Sequence, residues 1–122
     1  MELKEGMYVR TKDGIIAKVD YIDDNTIFFD KYLYKTYSDS IDFLEKDNLE
    51  RIIKASYNII DILEVGDYVN GVEIINIDDE WITMSDKQVP ILKSIANGMI
   101  KSVITHEQIE QISYRIGGKK WK

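Results

Sequence analysis

Residues 3–29 read LKEGMYVRTKDGIIAKVDYIDDNTIFF, and residues 63–84 read LEVGDYVNGVEIINIDDEWITM. Each stretch begins with a leucine, a glycine and a Tyr-Val pair, passes a turn glycine into an apolar run, and reaches Ile-Asp-Asp before another apolar run. The two stretches differ in length at the turn, where additional residues cost little free energy. Self-similarity of this kind indicates an internal repeat. We therefore predict two tandem copies of one small β unit, residues 1–62 and residues 63–122.

Turn dipeptides predict a hairpin at the start of each copy. Asp13-Gly14 and Asn70-Gly71 are pairs that supply the positive φ of a tight two-residue turn. We therefore expect residues 7–11 to pair with residues 15–21, and residues 67–69 to pair with residues 72–77. The acidic stretches 23–25 and 78–80 then form the second turn of each copy.

The apolar pattern of these strands predicts which side chains are buried. Strict alternation over residues 15–22 places Ala17, Val19 and Tyr21 on one face and Ile22 on the other. The corresponding strand of the second copy is more apolar, and its run of isoleucines, Ile75 included, predicts burial on both sides.

The remaining segments contain helical turns, edge strands and a tail. Pro90 cannot donate in a central ladder, so residues 87–95 are expected to form an edge strand or a loop. Thr105 and Gln108 have the spacing of a capping box. The other predictions are a helical turn at 42–49, a strand at 50–56, a single helical turn at 58–63, a strand at 99–104, a short helix at 106–112, a strand at 113–116 and a loose basic tail at 117–122.

These elements together predict the fold class. β-Branched residues outnumber the strong helix formers Ala and Leu, which favours strands. We predict a mainly β protein of two tandem SH3-like or KOW-like β-barrel units, with short helical turns and one short C-terminal helix.

Composition excludes several kinds of site. The chain has no cysteine and a single histidine, His106, so thiol nucleophiles, zinc fingers and sites with two imidazoles are excluded. No Gly-x-Ser-x-Gly or phosphate-binding loop is present. We therefore expect a non-catalytic protein without cofactor or metal. No signal peptide or membrane span is visible in the sequence, and we expect a cytoplasmic protein.

Two groups of residues are candidates for contact with a partner or ligand. Acidic residues occupy the second turn of each copy, where solvated turns are the alternative interpretation. A tyrosine-rich segment between the copies offers large, rigid side chains that suit an interface or the stacking of a base, although tyrosine is equally an ordinary strand residue. The candidates are Asp23, Asp24, Asp78, Asp79, Tyr32, Tyr34 and Tyr37.

Two blocks carry a resemblance to a group of proteins. Residues 52–71, IIKASYNIIDILEVGDYVNG, and residues 100–115, IKSVITHEQIEQISYR, resemble small, functionally uncharacterised phage and prophage proteins of Firmicutes. The resemblance implies an accessory protein of the kind that interferes with host defence. It implies the host cytoplasm as the place of action, and it brings no catalytic residues.

Three functions follow from these observations. The first is capture and inhibition of a host protein, such as a nucleic-acid-binding CRISPR effector, by an acidic and tyrosine-bearing face. The second is sequestration of a nucleotide signal in a cleft between the repeats or between protomers, by Tyr32 and Tyr34 with a few of the basic residues Lys35, Arg51 and Arg115. The third is nucleic-acid binding by analogy with KOW domains, against which the net charge of −6 argues. Pairing of an exposed strand edge makes a homodimer an alternative assembly.

Overall fold

The protein is mainly β in the part of the chain that its structure describes. A computed structural model describes residues 2–30, 41–91 and 98–115, with side chains as far as residue 111. Within these ranges, ten strands form two five-stranded antiparallel sheets. Across the same ranges, no helix is both long and apolar enough to cross a membrane.

The first sheet is built from the first half of the chain. Its strand order is β4-β3-β2-β1-β5, so that β1 lies between β2 and β5. A 3₁₀ helix, Lys46–Arg51, connects the edge strands β4 and β5. The strands are β1 Tyr8–Thr11, β2 Ile16–Ile22, β3 Thr26–Phe29, β4 Phe43–Glu45 and β5 Ile52–Ser56.

The second sheet follows a 3₁₀ helix at Ile59–Ile62, which confirms the helical turn predicted there. Its order is β10-β6-β7-β8-β9, and helix α1, His106–Arg115, follows β10. β9 is an edge strand, as Pro90 predicts. The strands are β6 Tyr68–Val69, β7 Val72–Ile77, β8 Trp81–Met84, β9 Gln88–Pro90 and β10 Val103–Ile104.

The two sheets share strand order and register. In the first sheet Tyr21 lies opposite Phe28, and in the second Asn76 lies opposite Thr83. Phe28 is in turn paired with Phe43, as Thr83 is paired with Gln88. Positions in one sheet therefore have defined counterparts in the other.

A β-bulge in β2 overturns the predicted face of Tyr21. Val19 pairs with Phe29 whereas Tyr21 pairs with Phe28, so Asp20 is an extra residue on β2. The extra residue turns Tyr21 outward, where it is 48% exposed, and turns Ile22 toward the first core. The same irregularity recurs in β7, and the burial predicted for Ile75 is wrong because this residue is 48% exposed.

The first turns of the two halves differ. Asn70 and Gly71 both have positive φ, 52° and 84°, which confirms the two-residue turn. The prediction of a two-residue turn at Asp13-Gly14 is wrong. The N–H of Thr11 donates to the carbonyl of Ile15, and only Gly14 has positive φ, so the loop comprises residues 12–14. The hydroxyl of Thr11 accepts the N–H of Ile15 and stabilises this longer loop.

Three predicted element boundaries are also corrected. The helical turn at 42–49 begins only at Lys46, because Phe43–Glu45 pairs with β3 and buries Leu44. The strand at 99–104 is limited to β10, since residues 98–99 are helical. Helix α1 continues to Arg115 instead of ending at 112 before a strand, and no helix-breaking residue precedes Gly117. The predicted tail at 117–122 lies outside the described residues.

The cores of the two halves meet at β1. Val9 is fully buried in the first hydrophobic cluster. Tyr8, from the same strand, is buried in the second cluster, and Ile16 packs against it. Ile59 and Ile62 also belong to the second cluster. The two sheets are therefore packed against each other through the alternate faces of β1 and the linking 3₁₀ helix.

Candidate binding surface

Three aromatic side chains form a row across the outer face of the first sheet. The rings of Tyr21 and Phe28 are stacked, with centroids 4.5 Å apart and planes inclined by 14°. Phe28 also contacts Phe43, at a centroid distance of 6.4 Å and an angle of 42°. Tyr21 and Phe43 are 48% and 55% exposed. We call these three residues the aromatic row.

The backbone explains why the aromatic row exists. β2, β3 and β4 are neighbours in the sheet, and each contributes one ring at successive cross-strand positions. The bulge at Asp20 brings Tyr21 to the outer face. Stacking offsets part of the free-energy cost of exposing the rings to water, but two stacked rings cover only the faces that they turn toward each other.

Carboxylates surround the aromatic row. A surface cavity of about 320 Å³ is lined by the three rings, by Phe29 and by the acids Asp20, Asp30 and Asp42. The backbone holds two of these acids in place. The N–H of Asp30 donates to the carbonyl of Lys18, and the carbonyl of Asp42 accepts the N–H of Phe29, both at 2.9 Å. We call this site the aromatic-acidic cavity.

The second sheet shows that the fold does not require these aromatic residues. The counterparts of Tyr21, Phe28 and Phe43 are Asn76, Thr83 and Gln88. The amide of Gln88 donates to the hydroxyl of Thr83 at 3.2 Å, so the same outward positions form a polar surface. Identical register with opposite side-chain chemistry indicates that the aromatic row is a property of the first half.

The sequence-predicted candidates are only partly within the described structure. Tyr32, Tyr34 and Tyr37 lie outside the described residues, in the segment between Asp30 and Ile41. Asp23 and Asp78 stabilise their own turns. Oδ1 of Asp23 accepts the N–H of Thr26 at 2.8 Å, and Oδ1 of Asp78 accepts the N–H of Trp81 at 2.7 Å.

The neighbouring acids face solvent. Asp24 and Asp79 are exposed at the tips of the β2–β3 and β7–β8 hairpins. Asp23 and Asp24 therefore lie at the end of the hairpin that carries two residues of the aromatic row, whereas Asp78 and Asp79 lie at the end of the polar hairpin.

A second cluster of ionisable groups lies where the halves meet, and its centre is Arg10. The guanidinium is fully buried and forms a two-point contact with Asp67, with Nη1–Oδ2 at 2.6 Å and Nη2–Oδ1 at 2.9 Å. Nη1 also donates to the carbonyl of Ile62, and Nη2 donates to Glu107 at 2.5 Å. We call this cluster the junction network.

Asp67 connects three parts of the chain. Besides Arg10, its carboxylate accepts the backbone N–H of Glu64 at 2.7 Å and that of His106 at 3.0 Å. It thereby caps the beginning of helix α1, where a negative charge is favourable. The side chains of Thr105 and Gln108 complete the capping box that the sequence predicts, and the hydroxyl of Thr105 donates to the carbonyl of Gly14.

Charges in the junction network shift one another's protonation. Burial opposes the charge on Arg10, but hydrogen bonds to Asp67 and Glu107 outweigh it and raise its pKa. Burial likewise opposes ionisation of Glu64, yet hydrogen bonds from His106 and Lys54 lower its pKa to about 2. The hydrogen bond to Glu64 raises the pKa of His106.

Metal binding is a poor fit to this cluster. Ligand atoms of Glu64, His106 and Glu107 lie within 4.8 Å of one another. However, Nη2 of Arg10 lies 2.5 Å from Glu107 and 3.6 Å from Glu64, at the place where a cation would approach both acids. The guanidinium already supplies the positive charge, so the arrangement is that of an ion-pair network joining the halves.

A further cavity lies in the second half, with a volume of about 260 Å³. Its described lining is almost wholly aliphatic, and among the described residues no lysine or arginine lines either this cavity or the aromatic-acidic cavity. Arg51, one of the basic residues that the nucleotide hypothesis offers, lies on the first 3₁₀ helix, 4.0 Å from the carboxylate of Asp13. In the part of the chain that the structure describes, the residues that line the two cavities therefore offer no basic group for a phosphate.

The sequence analysis missed both the aromatic row and the junction network. The adjacent pair Phe28-Phe29 carried a usable signal, because successive strand residues point to opposite faces and one ring must face outward. Arg10 carried a weaker signal as an arginine inside an apolar strand, where a buried charge requires a partner.

Comparison with known proteins finds no matching family model, no matching curated protein and no matching solved structure. The resemblance of residues 52–71 and 100–115 to phage proteins stays a prediction.

Proposed function

We propose that this protein is a non-catalytic binding module whose aromatic-acidic cavity and aromatic row contact a protein partner. The observation that carries the proposal is the exposed row Tyr21, Phe28 and Phe43, set against the polar residues that the second sheet has at the same positions. Exposed, contiguous aromatic surface is costly in water and is typical of interaction sites.

The finer features of the proposal have separate support. In each sheet the first strand pairs with both the second and the fifth strand, which supports two SH3-like units. The phage resemblance supports a host protein as the partner, with inhibition of that protein as the result. The surrounding acids favour a partner with a basic surface, such as a nucleic-acid-binding protein.

Nucleic acid itself fits the surface less well. Stacked rings on a sheet are a suitable platform for bases. The same cavity, however, is lined by three carboxylates, and the whole chain has a net charge of −6. Phosphate contacts supply most of the affinity of nucleic-acid-binding surfaces, and a surrounding of carboxylates repels them.

Exchange of residues between the two halves tests the proposal. The variant Y21N/F28T/F43Q gives the first sheet the residues of the second, and T83A/Q88A is the matched control on the second sheet. Both variants are compared with the wild type for the proteins they retain from host lysate and for the dissociation constants of those proteins after purification.

We expect the first variant to lose the partner and the control to retain it, with both as folded as the wild type by circular dichroism. Equal retention by all three proteins would contradict the proposal. Analytical ultracentrifugation tests whether the aromatic row instead binds a second copy of this chain. If the wild type is a dimer and Y21N/F28T/F43Q is a monomer, the aromatic row binds a second copy of the chain, and the proposal of a different protein partner fails.

A further inference from the structure

We propose that helix α1 is a latch between the two halves whose hold depends on pH, through the proton that His106 gains or loses. α1 follows the second sheet, but its contacts reach the first half. The hydroxyl of Thr105, at the beginning of the helix, donates to the carbonyl of Gly14 at 2.7 Å. Nε2 of Gln111 donates to the carbonyl of Asp13 at 3.0 Å. The latch is independent of the aromatic row.

A pair of ionic contacts joins α1 to the first sheet through Glu64. Nε2 of His106 lies 2.8 Å from Oε1 of Glu64. Nζ of Lys54, on β5, lies 2.9 Å from the other oxygen of the same carboxylate. The histidine also packs closely on Gly66, where an added Cβ would lie 3.2 Å from Cβ of His106. One carboxylate therefore bridges the beginning of α1 and the edge strand of the first sheet.

Acids outnumber bases around His106. The charged groups that face the ring or its direct partners are four carboxylates and two basic side chains: Glu64, Asp67, Glu107, Glu110, Arg10 and Lys54. Nε2 of the histidine lies 3.6 Å from Glu107, and Nδ1 lies 3.4 Å from Glu110. Among the described residues, a proton on His106 therefore adds a third positive charge to a cluster that has an excess of negative charge.

Protonation of His106 favours the closed latch. The hydrogen bond with Glu64 raises the pKa of His106, burial opposes this rise, and the neighbouring carboxylates add to it. The histidine therefore binds its proton more tightly when α1 is in place than when α1 is detached. α1 should be held most firmly below the ordinary histidine value of 6.5, and it should detach more readily as pH rises through the raised pKa.

The other contacts of α1 persist over this range of pH. Thr105 and Gln111 bind through neutral groups. The contact of Arg10 with Glu107 keeps its positive charge, because hydrogen bonds to Asp67 and Glu107 outweigh burial and raise the pKa of the guanidinium. Histidine is the side chain whose charge changes near neutral pH. A rise in pH therefore weakens the latch without removing its remaining contacts.

Amide hydrogen exchange of the full chain, followed by nuclear magnetic resonance, measures how often α1 opens. The reporter is the N–H of Ile109, which donates to the carbonyl of Thr105 at 3.1 Å. A helix of 10 residues is too short to persist alone in water, so detachment exposes this amide. The reference is the N–H of Val19 in the first sheet, which donates to the carbonyl of Met7 at 2.8 Å.

Four variants are compared with the wild type. His106→Asn has no charge at any pH, whereas His106→Lys keeps a positive charge throughout, since lysine titrates near pH ~10.4. Glu64→Gln removes the main partner of the histidine. Glu80→Gln is the matched control, because Glu80 is exposed at the β7–β8 turn. Protection is the exchange rate of an unstructured chain divided by the measured rate at the same pH, and it is followed from about pH 5.5 to about pH 8.5 at several low concentrations of urea.

We expect the protection of Ile109 in the wild type to fall about fivefold over this range, in line with the worth of a partly exposed ion pair. His106→Asn should be weakly protected and His106→Lys strongly protected, both without this pH dependence. Glu64→Gln should lose most of the dependence, and Glu80→Gln should behave as the wild type. Opening of α1 alone exposes little surface, so urea should affect Ile109 less than Val19.

Three results would overturn the inference. Constant protection of Ile109 in the wild type would show that the latch does not respond to pH. A fall in His106→Asn as large as that of the wild type would assign the response to another group. Equal protection and equal urea dependence of Ile109 and Val19 would show that α1 opens only when the whole protein unfolds. Circular dichroism establishes that each variant is folded, and the pair His106→Asn and His106→Lys decides the outcome if Glu64→Gln is not.

Discussion

Replacement of Asp67 by alanine should cost more stability than any change of an exposed acid in this protein. Asp67 has no exposed side-chain surface and accepts four hydrogen bonds, two from Arg10 and one each from the amides of Glu64 and His106. Among the described residues, alanine would leave the buried guanidinium with its hydrogen bonds to Glu107 and to the carbonyl of Ile62, and with Glu64 at 3.6 Å. Breaking a buried pair in this way costs about 3–5 kcal/mol.

That loss is a large part of the stability of a small protein, about 5–15 kcal/mol. Urea unfolding followed by circular dichroism measures it from the shift of the midpoint at constant slope. Asp86→Ala is the matched control, since the ion pair between Asp86 and Lys87 is exposed at both ends. An exposed pair is worth at most about 1 kcal/mol. If Asp67→Ala is too unstable to fold, Asp67→Asn retains the side-chain shape and removes only the charge.

A double-mutant cycle separates the pair from the rest of the junction network. Arg10→Met removes the buried charge that Asp67→Ala would leave without its main partner. The double variant should therefore lose less free energy of unfolding than the two single variants lose together, by several kcal/mol. The Nε of Arg10 is buried without a hydrogen-bond partner among the described residues, which makes the arginine costly to retain alone. Additive losses, or an Asp67→Ala no less stable than Asp86→Ala, would refute this account.

Two further predictions concern the same junction. His106 has a raised pKa and Glu64 a pKa of about 2, so the stability from this pair is complete between their ordinary values, pH 4.5 and 6.5. This stability should be lost as pH rises through the raised pKa of His106, and also as pH falls from 4.5 toward 2. The urea midpoint is measured against pH for the wild type and for His106→Asn, and parallel profiles of the two proteins would contradict this prediction. Gly14→Ala should lower the melting temperature more than Gly71→Ala, because both glycines have positive φ but only at Gly14 would a Cβ overlap the hydroxyl of Thr105. Equal losses would show that the contact with Thr105 has no energetic weight.

The hairpins were predictable because their signals are local. Asn70-Gly71 adopts the positive φ angles that only such residues take cheaply, and the repeat placed the second hairpin by analogy with the first. The capping box of Thr105 and Gln108 was equally local, since both partners lie within one helical turn. These features depend on residues that are close in sequence.

The wrong or missing predictions concern features whose structure is determined by residues far apart in the sequence. The bulge at Asp20 is set by the pairing of β2 with β3, and one extra residue inverts every later prediction about which side chain faces inward. β4 was predicted as helical because its own three residues carry no strand pattern, and its partner strand β3 determines its structure. The junction network joins Arg10 to Asp67 and Glu107, residues far apart in sequence, so no spacing could have shown it.

The repeat also explains why the surface was harder to predict than the fold. Inward positions are similar in both halves: Val19 corresponds to Ile74, and Ile27 to Ile82, all of them buried. Outward positions differ, as at Phe28, whose counterpart is Thr83. Packing therefore keeps these inward positions branched and apolar in both sheets, whereas each outward set is free to take a different chemistry. A sequence comparison that weighs all positions equally finds the shared fold, and the surface that we propose for binding lies among the positions where the two halves differ.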